Sequence, residues 1–202
     1  MGGLRLRLAT ADDAAGVRRV YAPYVTDTVV SFELDVPGPD ELAQRISGRL
    51  PRHPWLVATD GEGAVVGYAY AGPFSARAAY DWSVETSVYL DAAQHRRGLG
   101  RALYTALFAL LEAQGHRRAM AGITLPNAAS VGLHEAMGFS AVGVYRAVGW
   151  KFDAWHDVGW WQRPIGPADG TPPTAGPVGL DRLDPALLDA ALAAGAAALV
   201  RR

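Results

Sequence analysis

Short apolar stretches, some alternating with polar residues and some continuous, predict seven β-strands along the chain. The clearest alternation is Leu-Arg-Leu-Arg-Leu at 4–8, where successive side chains would point to opposite faces of a strand. The turn Asp-Gly-Glu-Gly at 60–63 separates two further apolar runs and predicts a hairpin. The predicted strands are 4–8, 55–59, 64–72, 83–90, 118–125, 141–150 and 155–162.

Apolar residues that recur every three or four positions predict four helices between these strands. The strongest repeat lies between Gly100 and Gln114, where leucines at 103, 107, 110 and 111 define a buried face. Thr10 followed by Asp13 is typical of a helix N-cap and predicts that the first helix begins there. The predicted helices are 10–25, 39–50, 100–114 and 127–138. The order β-α-α-β-β-β-α-β-α-β-β predicts a mixed α/β (α+β) domain in which helices flank a sheet.

The C-terminal part of the chain changes character after residue 163. Residues 164–183 are rich in Pro and Gly, which predicts an extended linker after a domain at 1–163. Residues 184–202 predict an Ala-rich tail helix, with Asp184 as N-cap and Pro185 in the first turn. Because its apolar side chains are few and small, we expect this helix to be weakly docked or frayed, and residues 164–202 to be removable without loss of activity.

Composition restricts the classes of partner. Of 202 residues, 50% are apolar and 19% are charged, and the net charge is −1, so neither nucleic acid nor an anionic membrane is expected as a partner. The absence of cysteine excludes disulfides, thiolate catalysis and Cys-based zinc sites. No spacing of His or carboxylate residues suggests a metal. No stretch has the length of a signal-peptide core or a membrane span, so we expect a cytoplasmic enzyme or binding protein.

Two glycines and three arginines surround the predicted start of the helix at 100. Gly98 and Gly100 allow the backbone to approach a ligand closely, and a helix N-terminus presents unpaired N–H groups and partial positive charge. With Arg96, Arg97 and Arg101 nearby, the segment predicts a cradle for a pyrophosphate. A dinucleotide fingerprint would need glycine at 103, which is leucine, and a P-loop would need Gly-Lys-Ser/Thr. Neither nucleotide motif is present.

The strand, glycine loop and helix over 83–114 resemble the acetyl-CoA site of the GNAT (GCN5-related) N-acetyltransferases. The motif of that family, Gln/Arg-x-x-Gly-x-Gly/Ala, reads His-Arg-Arg-Gly-Leu-Gly at 95–100, and its first position departs from the pattern. The segment LHEAMGF at 133–139 resembles the second landmark of the family, a short helix that ends in Gly-Phe. The blocks AGPFSARAAYDWSVE at 71–85 and WHDVGWWQ at 155–162 are similar to the phosphinothricin N-acetyltransferase branch, and the likeness covers roughly residues 4–163.

The resemblance implies a GNAT-like, mostly antiparallel sheet and acetyl transfer from acetyl-CoA, without a metal, to the α-amino group of a small amino-acid-like acceptor such as phosphinothricin. It also implies a homodimer and a role in detoxification or resistance. Near the pantetheine arm of acetyl-CoA it places Asn127 and the backbone of Val88, Tyr89 and Leu90. The loop residues that it implies for the pyrophosphate are Arg96, Arg97, Gly98, Leu99, Gly100 and Arg101.

Two side chains carry the chemistry that the resemblance implies. An amine attacks a thioester only as the neutral base, so a proton acceptor is required. Glu85 falls on the general base of the family, although a lone carboxylate in such a strand is more often solvent-facing or ion-paired. His134 falls on the helix position of the acid that protonates the CoA thiolate, where many family members have tyrosine and the phosphinothricin branch has histidine.

The acceptor needs cations and hydrogen-bond donors for its anionic groups. The loop at 73–82 supplies Arg77 and Tyr80, and Phe32 matches an aromatic residue of the family's pocket. The relatives carry a lysine where this chain has Ser75, so one positive charge is missing. This departure favours a rival acceptor, such as methionine sulfoximine, methionine sulfone or another small amine. A non-catalytic acyl-CoA-binding module is a further alternative, against which the presence of both candidate catalytic residues argues.

Overall fold

The computed structural model describes residues 3–166 and 173–200 of the chain. Within these residues the strands are β1 Arg5–Leu8, β2 Trp55–Thr59, β3 Val65–Pro73, β4 Ser83–Leu90, β5 Arg118–Leu125, β6 Ser140–Lys151 and β7 Ala154–Pro164. They form one seven-stranded sheet in the order β1-β2-β3-β4-β5-β7-β6. The contact between β4 and β5 is parallel and the other five are antiparallel. The predicted α/β fold with a mostly antiparallel sheet is confirmed.

The helices of the described residues are α1 Ala14–Thr26, α2 Pro39–Arg49, α3 Leu99–Gln114, α4 Ala128–Ala136 and α5 Pro185–Val200. The predicted cap of the first helix forms, because the Asp13 carboxylate accepts a hydrogen bond from the Thr10 N–H at 2.8 Å. A short 3₁₀ turn over Ala11–Asp13 follows this cap, so α1 begins at Ala14 and not at residue 10.

Each face of the sheet is covered by its own apolar layer. On one face, the leucines of α3 at 99, 103, 107, 110 and 111 are fully buried, which confirms the predicted buried face of that helix. On the other face, α1 and α2 contribute Val17 and Ile46, which pack with Trp55 and Tyr68 of the sheet. Each fully buried side chain of this size contributes about 1.5–3 kcal/mol, so the two layers fix the positions of α2, α3 and β4.

The prediction that the C-terminal helix, α5, is weakly docked or frayed is wrong. The helix packs against α3 and β1, and its Ala191 and Gly195 are buried. A Cβ on Gly195 would lie 2.8 Å from both the Ala102 carbonyl oxygen and the Ala106 Cβ, so glycine permits a close approach of the two helices. Leucines at 188, 192 and 199 add partly buried contacts to the core. Small side chains therefore bring this helix closer to the domain.

Part of the predicted linker also contacts the domain. The Val178 N–H donates to the Gln114 carbonyl at 2.9 Å, and the Gln114 side-chain amide donates to the carbonyls of Val178 and Arg52 at 2.9 and 2.8 Å. The predicted linker therefore contacts the C-terminal end of α3 at Pro177 and Val178. Residues 167–172 of the predicted linker lie outside the described residues, and the boundaries at 163 and 183 stay predictions.

The sheet opens between β4 and β5. The two strands pair only over Ser83–Glu85 and Arg118–Met120. Beyond Glu85, β4 pairs with β3 alone, while β5 continues its pairing with β7. The gap between them lies beside the first turn of α3, since a Cβ on Gly100 would contact Leu90 of β4 at 3.5 Å. Backbone groups along this gap are available to an extended ligand.

Candidate active site

The glycine loop forms the first turn of α3 at one end of this gap. Gly98 has a φ of 82°, in the left-handed region that glycine adopts without strain. The Ala102 N–H bonds to the Gly98 carbonyl at 3.0 Å. The three N–H groups before it, at 99, 100 and 101, have no acceptor within the helix. These N–H groups lie at the positive end of the helix dipole, and this arrangement suits the binding of a pyrophosphate.

The side chains of this loop divide into two groups. The side chain of Leu99 is fully buried, and a Cβ on Gly100 would lie 3.0 Å from Leu133, so these two positions can serve a ligand only through the backbone. The remaining side chains are exposed arginines: Arg96, Arg97 and Arg101. All six residues predicted for the pyrophosphate therefore lie at one helix start.

The edge of β4 that faces the gap is partly occupied by Tyr24 of α1. The Leu90 N–H donates to the Tyr24 hydroxyl at 3.3 Å, and the Leu90 carbonyl accepts from it at 2.7 Å. Alternate residues of a strand direct their backbone groups to the same side, so Val88 presents its N–H and carbonyl to this edge as well. Tyr89 packs its ring against neighbouring tyrosines. Of the three residues predicted beside the pantetheine arm, Val88 has the suitable edge, whereas Leu90 is held by Tyr24.

His95, at which the glycine motif departs from the family pattern, connects the loop to the same tyrosine. Its Nε2 lies 3.1 Å from the Tyr24 hydroxyl. Because that hydroxyl also binds Leu90, His95 links the glycine loop, α1 and the end of β4.

Glu85 lies where β4 and β5 part and faces a cavity of about 190 Å³. The other lining residues are Arg49, Tyr70, Gly72, Pro73 and Ser87. Burial raises the pKa of Glu85, and the positive charge of Arg49 opposes this rise. Within the described residues Glu85 forms no ion pair, so the ion-paired alternative for this carboxylate has no support. A half-buried carboxylate with a raised pKa is suited to accept a proton near neutral pH.

His134 lies on the opposite face of β4, in a chain of buried hydrogen bonds. Its Nδ1 lies 2.8 Å from the Ser130 carbonyl, which can only accept, so Nδ1 carries the proton. Its Nε2 then accepts from the Tyr104 hydroxyl at 2.9 Å. Burial lowers the pKa of His134, which favours this neutral form.

A small cavity of about 50 Å³ connects this chain of hydrogen bonds to the gap. Thr86, Tyr104, Asn127 and His134 line it. Asn127 caps α4, since its Oδ1 accepts from the Ser130 N–H at 3.1 Å. Ser87 lines both this cavity and the one that contains Glu85. The two predicted catalytic residues therefore flank the gap from opposite faces of the sheet.

The residues predicted for the acceptor do not come together. Tyr80 lines a larger cavity of about 440 Å³ next to that of Glu85, and Ser75 lines it too. Arg77 is exposed and lines none of the three cavities. Phe32 packs against Gly149 of β6, where a Cβ would lie 2.1 Å from its ring, and it also lines none of them. Val30 of the same loop reaches the small cavity instead.

Sequence reasoning missed two residues of the site. Arg49, the last residue of α2, lines the cavity of Glu85, but an arginine at a helix end is an ordinary feature of a sequence. Tyr104 lies on the buried face of α3, where an aromatic residue is expected as part of the core. Its pairing with His134 depends on how α3 and α4 pack, which no local pattern specifies.

Two further classes of site were tested over residues 3–166 and 173–200. In that part of the chain no group of three or more His, Asp or Glu residues could hold a metal. No helix there has both the length and the apolar character needed to cross a membrane.

Comparison with known proteins agrees with this geometry. Residues 6–160 match the family model described as an acetyltransferase (GNAT) domain. The chain is 47% identical over 160 residues to a phosphinothricin N-acetyltransferase of Streptomyces viridochromogenes, covering 79% of the chain and 87% of the relative. It is 34% identical over 171 residues to an L-methionine sulfoximine/L-methionine sulfone acetyltransferase of Pseudomonas paraeruginosa, covering 83% of the chain and 98% of the relative.

A solved structure extends the agreement to three dimensions. The crystal structure of a GNAT superfamily phosphinothricin acetyltransferase from Sinorhizobium meliloti, in complex with AcCoA, has a TM-score of 0.82 and 37% identity. The match covers 89% of this chain and 97% of that one. The chain belongs to the GNAT family and is an acetyltransferase. Among its relatives, it is similar to the phosphinothricin N-acetyltransferases, which confirms the resemblance drawn from the motifs.

Proposed function

We propose that this protein transfers the acetyl group of acetyl-CoA to the α-amino group of phosphinothricin or a similar small amino acid. The observation that carries the proposal is Glu85, a half-buried carboxylate without an ion pair in the described part of the chain, which faces a small cavity at the point where the sheet opens. A cavity of about 190 Å³ has the volume of roughly six waters, which suits a small molecule better than a peptide chain. The phosphinothricin acetyltransferases similar to this chain support the choice of acceptor.

The residues present fit acetyl-CoA. The first turn of α3 and its arginines would hold the pyrophosphate, and the backbone of Val88 would bind the pantetheine arm in the gap between β4 and β5. Asn127 lines the small cavity at this gap. When bound, acetyl-CoA supplies a thioester whose carbonyl carbon is open to attack by an amine. The AcCoA complex of the Sinorhizobium relative supports this assignment.

Acetyl transfer requires two proton transfers, one from the acceptor's ammonium group to Glu85 and one to the CoA thiolate on the side of Tyr104 and His134. The acceptor's ammonium group must lose a proton before its nitrogen can attack, and Glu85 takes it. As the nitrogen–carbon bond forms and the carbon–sulfur bond breaks, the thiolate gains a proton. Tyr104 lines the small cavity at the gap and is the proposed donor, with its O–H turning from the His134 Nε2 to the sulfur. The nitrogen releases a second proton as the amide forms, which balances the proton that the thiolate gains. His134, whose Nε2 accepts from Tyr104 and whose Nδ1 donates to the Ser130 carbonyl, is proposed to position the Tyr104 hydroxyl on the thiolate side.

A second acceptor class is favoured by Ser75, which lines the acceptor-side cavity without a charge. Methionine sulfoximine and methionine sulfone carry neutral polar side chains, and the Pseudomonas relative is named for both. The test is a turnover assay with acetyl-CoA and each candidate amino acid, with free thiol and the acetylated product measured together. Acetylation of phosphinothricin at its α-amine is expected, whereas CoA binding without acetylation of any amino acid would favour the binding-module alternative.

We further propose an assembly and a biological role. The outer hairpin of β6 and β7 exposes a group of large apolar side chains, and a second copy of the chain is the proposed partner. The residues are Val142, Val144, Tyr145, Val148, Trp150, Phe152 and Trp155. Acetylation of a toxic amino-acid analogue would give a role in detoxification or resistance. The cytoplasmic location expected from the sequence stays a prediction.

A further inference from the structure

Arg49 borders both cavities on the acceptor side of the sheet. It lines the small cavity that contains Glu85 and the larger one that contains Ser75 and Tyr80. Among the described lining residues, only Arg49 and Pro73 are common to both. A molecule that places its amine at Glu85 and extends toward the larger cavity must therefore pass the Arg49 guanidinium.

Tyr70 and Gly72 of β3 determine where the Arg49 guanidinium lies. It lies 5.0 Å above the ring of Tyr70, and that ring stacks on Trp55 at 4.4 Å. A Cβ on Gly72 would lie 1.9 Å from the Arg49 Nη1, so only glycine at this place on β3 leaves room for the guanidinium. Gly72 pairs with Glu85 across β3 and β4, which puts the cation one strand away from the general base.

The charge of Arg49 is not used elsewhere in the described part of the chain. It forms no ion pair there, whereas the neighbouring Arg45 is committed to Glu33 and Glu41. Two other cations of the chain, Arg146 and Lys151, are also committed to partners. Arg146 pairs with Asp157 at 2.6 Å, and the Lys151 ammonium donates to the carbonyls of Val25 and Ser31, each at 2.6 Å.

We propose that Arg49 is the acceptor-binding residue that pairs with an anionic group on the acceptor's side chain, and that it makes the enzyme prefer amino acids with anionic side chains. This inference rests on the proposed function. The larger cavity beyond Arg49 is also lined by Arg52 and His53, and Asp81 is the one carboxylate among its described lining residues, so its charge favours an anion. Ser75 brings no positive charge to that cavity. Arg49, which lines another wall of it, provides one.

The test compares two acceptors that differ in the charge of the side chain. Phosphinothricin carries an anionic phosphinate, methionine sulfone carries a neutral sulfone, and both carry the same α-amino and α-carboxylate groups. We expect Arg49→Gln to lower kcat/KM for phosphinothricin by about 10–100-fold, chiefly through KM, and for methionine sulfone by less than about 3-fold. Glu85 acts on both acceptors, so any effect of Arg49 on Glu85 changes both kcat/KM values alike. Such an effect cancels in the ratio of the two kcat/KM values.

Three variants make the result specific. Arg49→Lys keeps a charge but loses the flat stacked geometry, so an intermediate loss is expected. Ser75→Lys, placed in the Arg49→Gln background, returns a cation to the same cavity and should recover phosphinothricin activity by about 3–10-fold; a purely structural role of Arg49 would show no such recovery. Arg5→Gln removes an exposed arginine of β1 and controls for net charge.

Each contrary outcome has its own pattern. An equal loss for both acceptors in Arg49→Gln would mean that Arg49 holds the α-carboxylate or supports the fold, and would overturn the inference. No loss for either acceptor would remove Arg49 from the site. A wild-type enzyme that acetylates neither amino acid would overturn the proposed function, and the inference with it, before any variant is compared.

Discussion

At the scale of single residues, Glu85 is held between two opposing effects. Burial raises its pKa, while the nearby Arg49 guanidinium lowers it. The base is active as the carboxylate, so activity falls as the pH drops through this pKa. The balance between the two effects therefore sets the acid limit of the pH range in which the enzyme works.

The pH profile of Arg49→Gln tests this balance. Removal of the positive charge leaves burial unopposed, so the pKa of Glu85 should rise and the acid limb of kcat/KM should move to higher pH. Methionine sulfone is the acceptor to use, because its side chain does not depend on Arg49. The profile of Arg5→Gln should match that of the wild type. An acid limb that stays in place, or moves to lower pH, would show that Glu85 and Arg49 are not coupled.

Tyr104 is predicted to matter for both stability and rate. Tyr104→Phe removes the donor to the His134 Nε2 and leaves that nitrogen buried without a partner, which costs about 1–3 kcal/mol of unfolding free energy. If the hydroxyl also protonates the thiolate, kcat should fall by about 10²–10⁴-fold. Urea unfolding and steady-state kinetics separate the two effects. A destabilised variant with unchanged kcat would assign Tyr104 a structural role alone.

The sequence could predict Glu85 and the glycine loop but not Arg49. Glu85 stands out because it is a carboxylate in an apolar strand, and the loop because glycines and arginines precede a strong helix repeat. Arg49 comes from α2, two strands before β4 in the chain, and reaches Glu85 only because α2 packs beside β3 over Tyr70 and Gly72. Arg77 lies in the predicted loop beside Tyr80, yet the chain turns its side chain to solvent.

At the scale of elements, α5 is the helix whose packing against the domain the sequence pattern did not predict. A buried face is usually recognised by large apolar side chains at helical spacing, and this helix has few of them. Its contact with α3 instead depends on Ala191 and Gly195, whose small size allows close packing. The strand and helix boundaries elsewhere were predicted to within a few residues, because their patterns are local.

Substitution of Gly195 tests whether α5 is an integral part of the fold. Gly195→Leu places side-chain atoms against the Ala102 carbonyl and Ala106 of α3, so it should lower the free energy of unfolding by about 1–3 kcal/mol. Leucine favours a helix more than glycine does, so a loss of stability would arise from the contact and not from propensity. Ala194→Leu, at an exposed position one residue away, is the matched control. A Gly195→Leu variant as stable as the wild type in urea would mean that α5 does not stay docked.

At the scale of the whole molecule, the hairpin of β6 and β7 at one edge of the sheet is the part that exposes most apolar surface to solvent. The helices cover most of the sheet, but β6, its turn to β7 and the start of β7 expose seven large apolar side chains. A patch of this kind marks an interaction surface in most globular proteins. The sequence predicted the two strands, but an alternating pattern alone does not show that both faces of a hairpin are left uncovered.

Light scattering after gel filtration tests the proposed dimer. The wild type should elute with twice the 21.4 kDa mass of one chain. Tyr145→Asp introduces a charge into the exposed hairpin and should shift the protein toward the monomer at micromolar concentration. Leu34→Asp, at an exposed position of a different segment, should leave the mass unchanged. A wild type that is monomeric at every accessible concentration would contradict the proposed assembly.

The central claim is that Glu85 takes the proton from an amino-acid acceptor whose amine then receives the acetyl group. The most direct test is the rate of thiol release from acetyl-CoA with phosphinothricin, in the wild type and in Glu85→Gln, together with the affinity of each protein for CoA. We predict that Glu85→Gln lowers kcat by about 10²–10⁴-fold and leaves CoA affinity nearly unchanged, since the glycine loop lies at the other end of the gap. A Glu85→Gln enzyme with the wild-type rate near neutral pH would contradict the account.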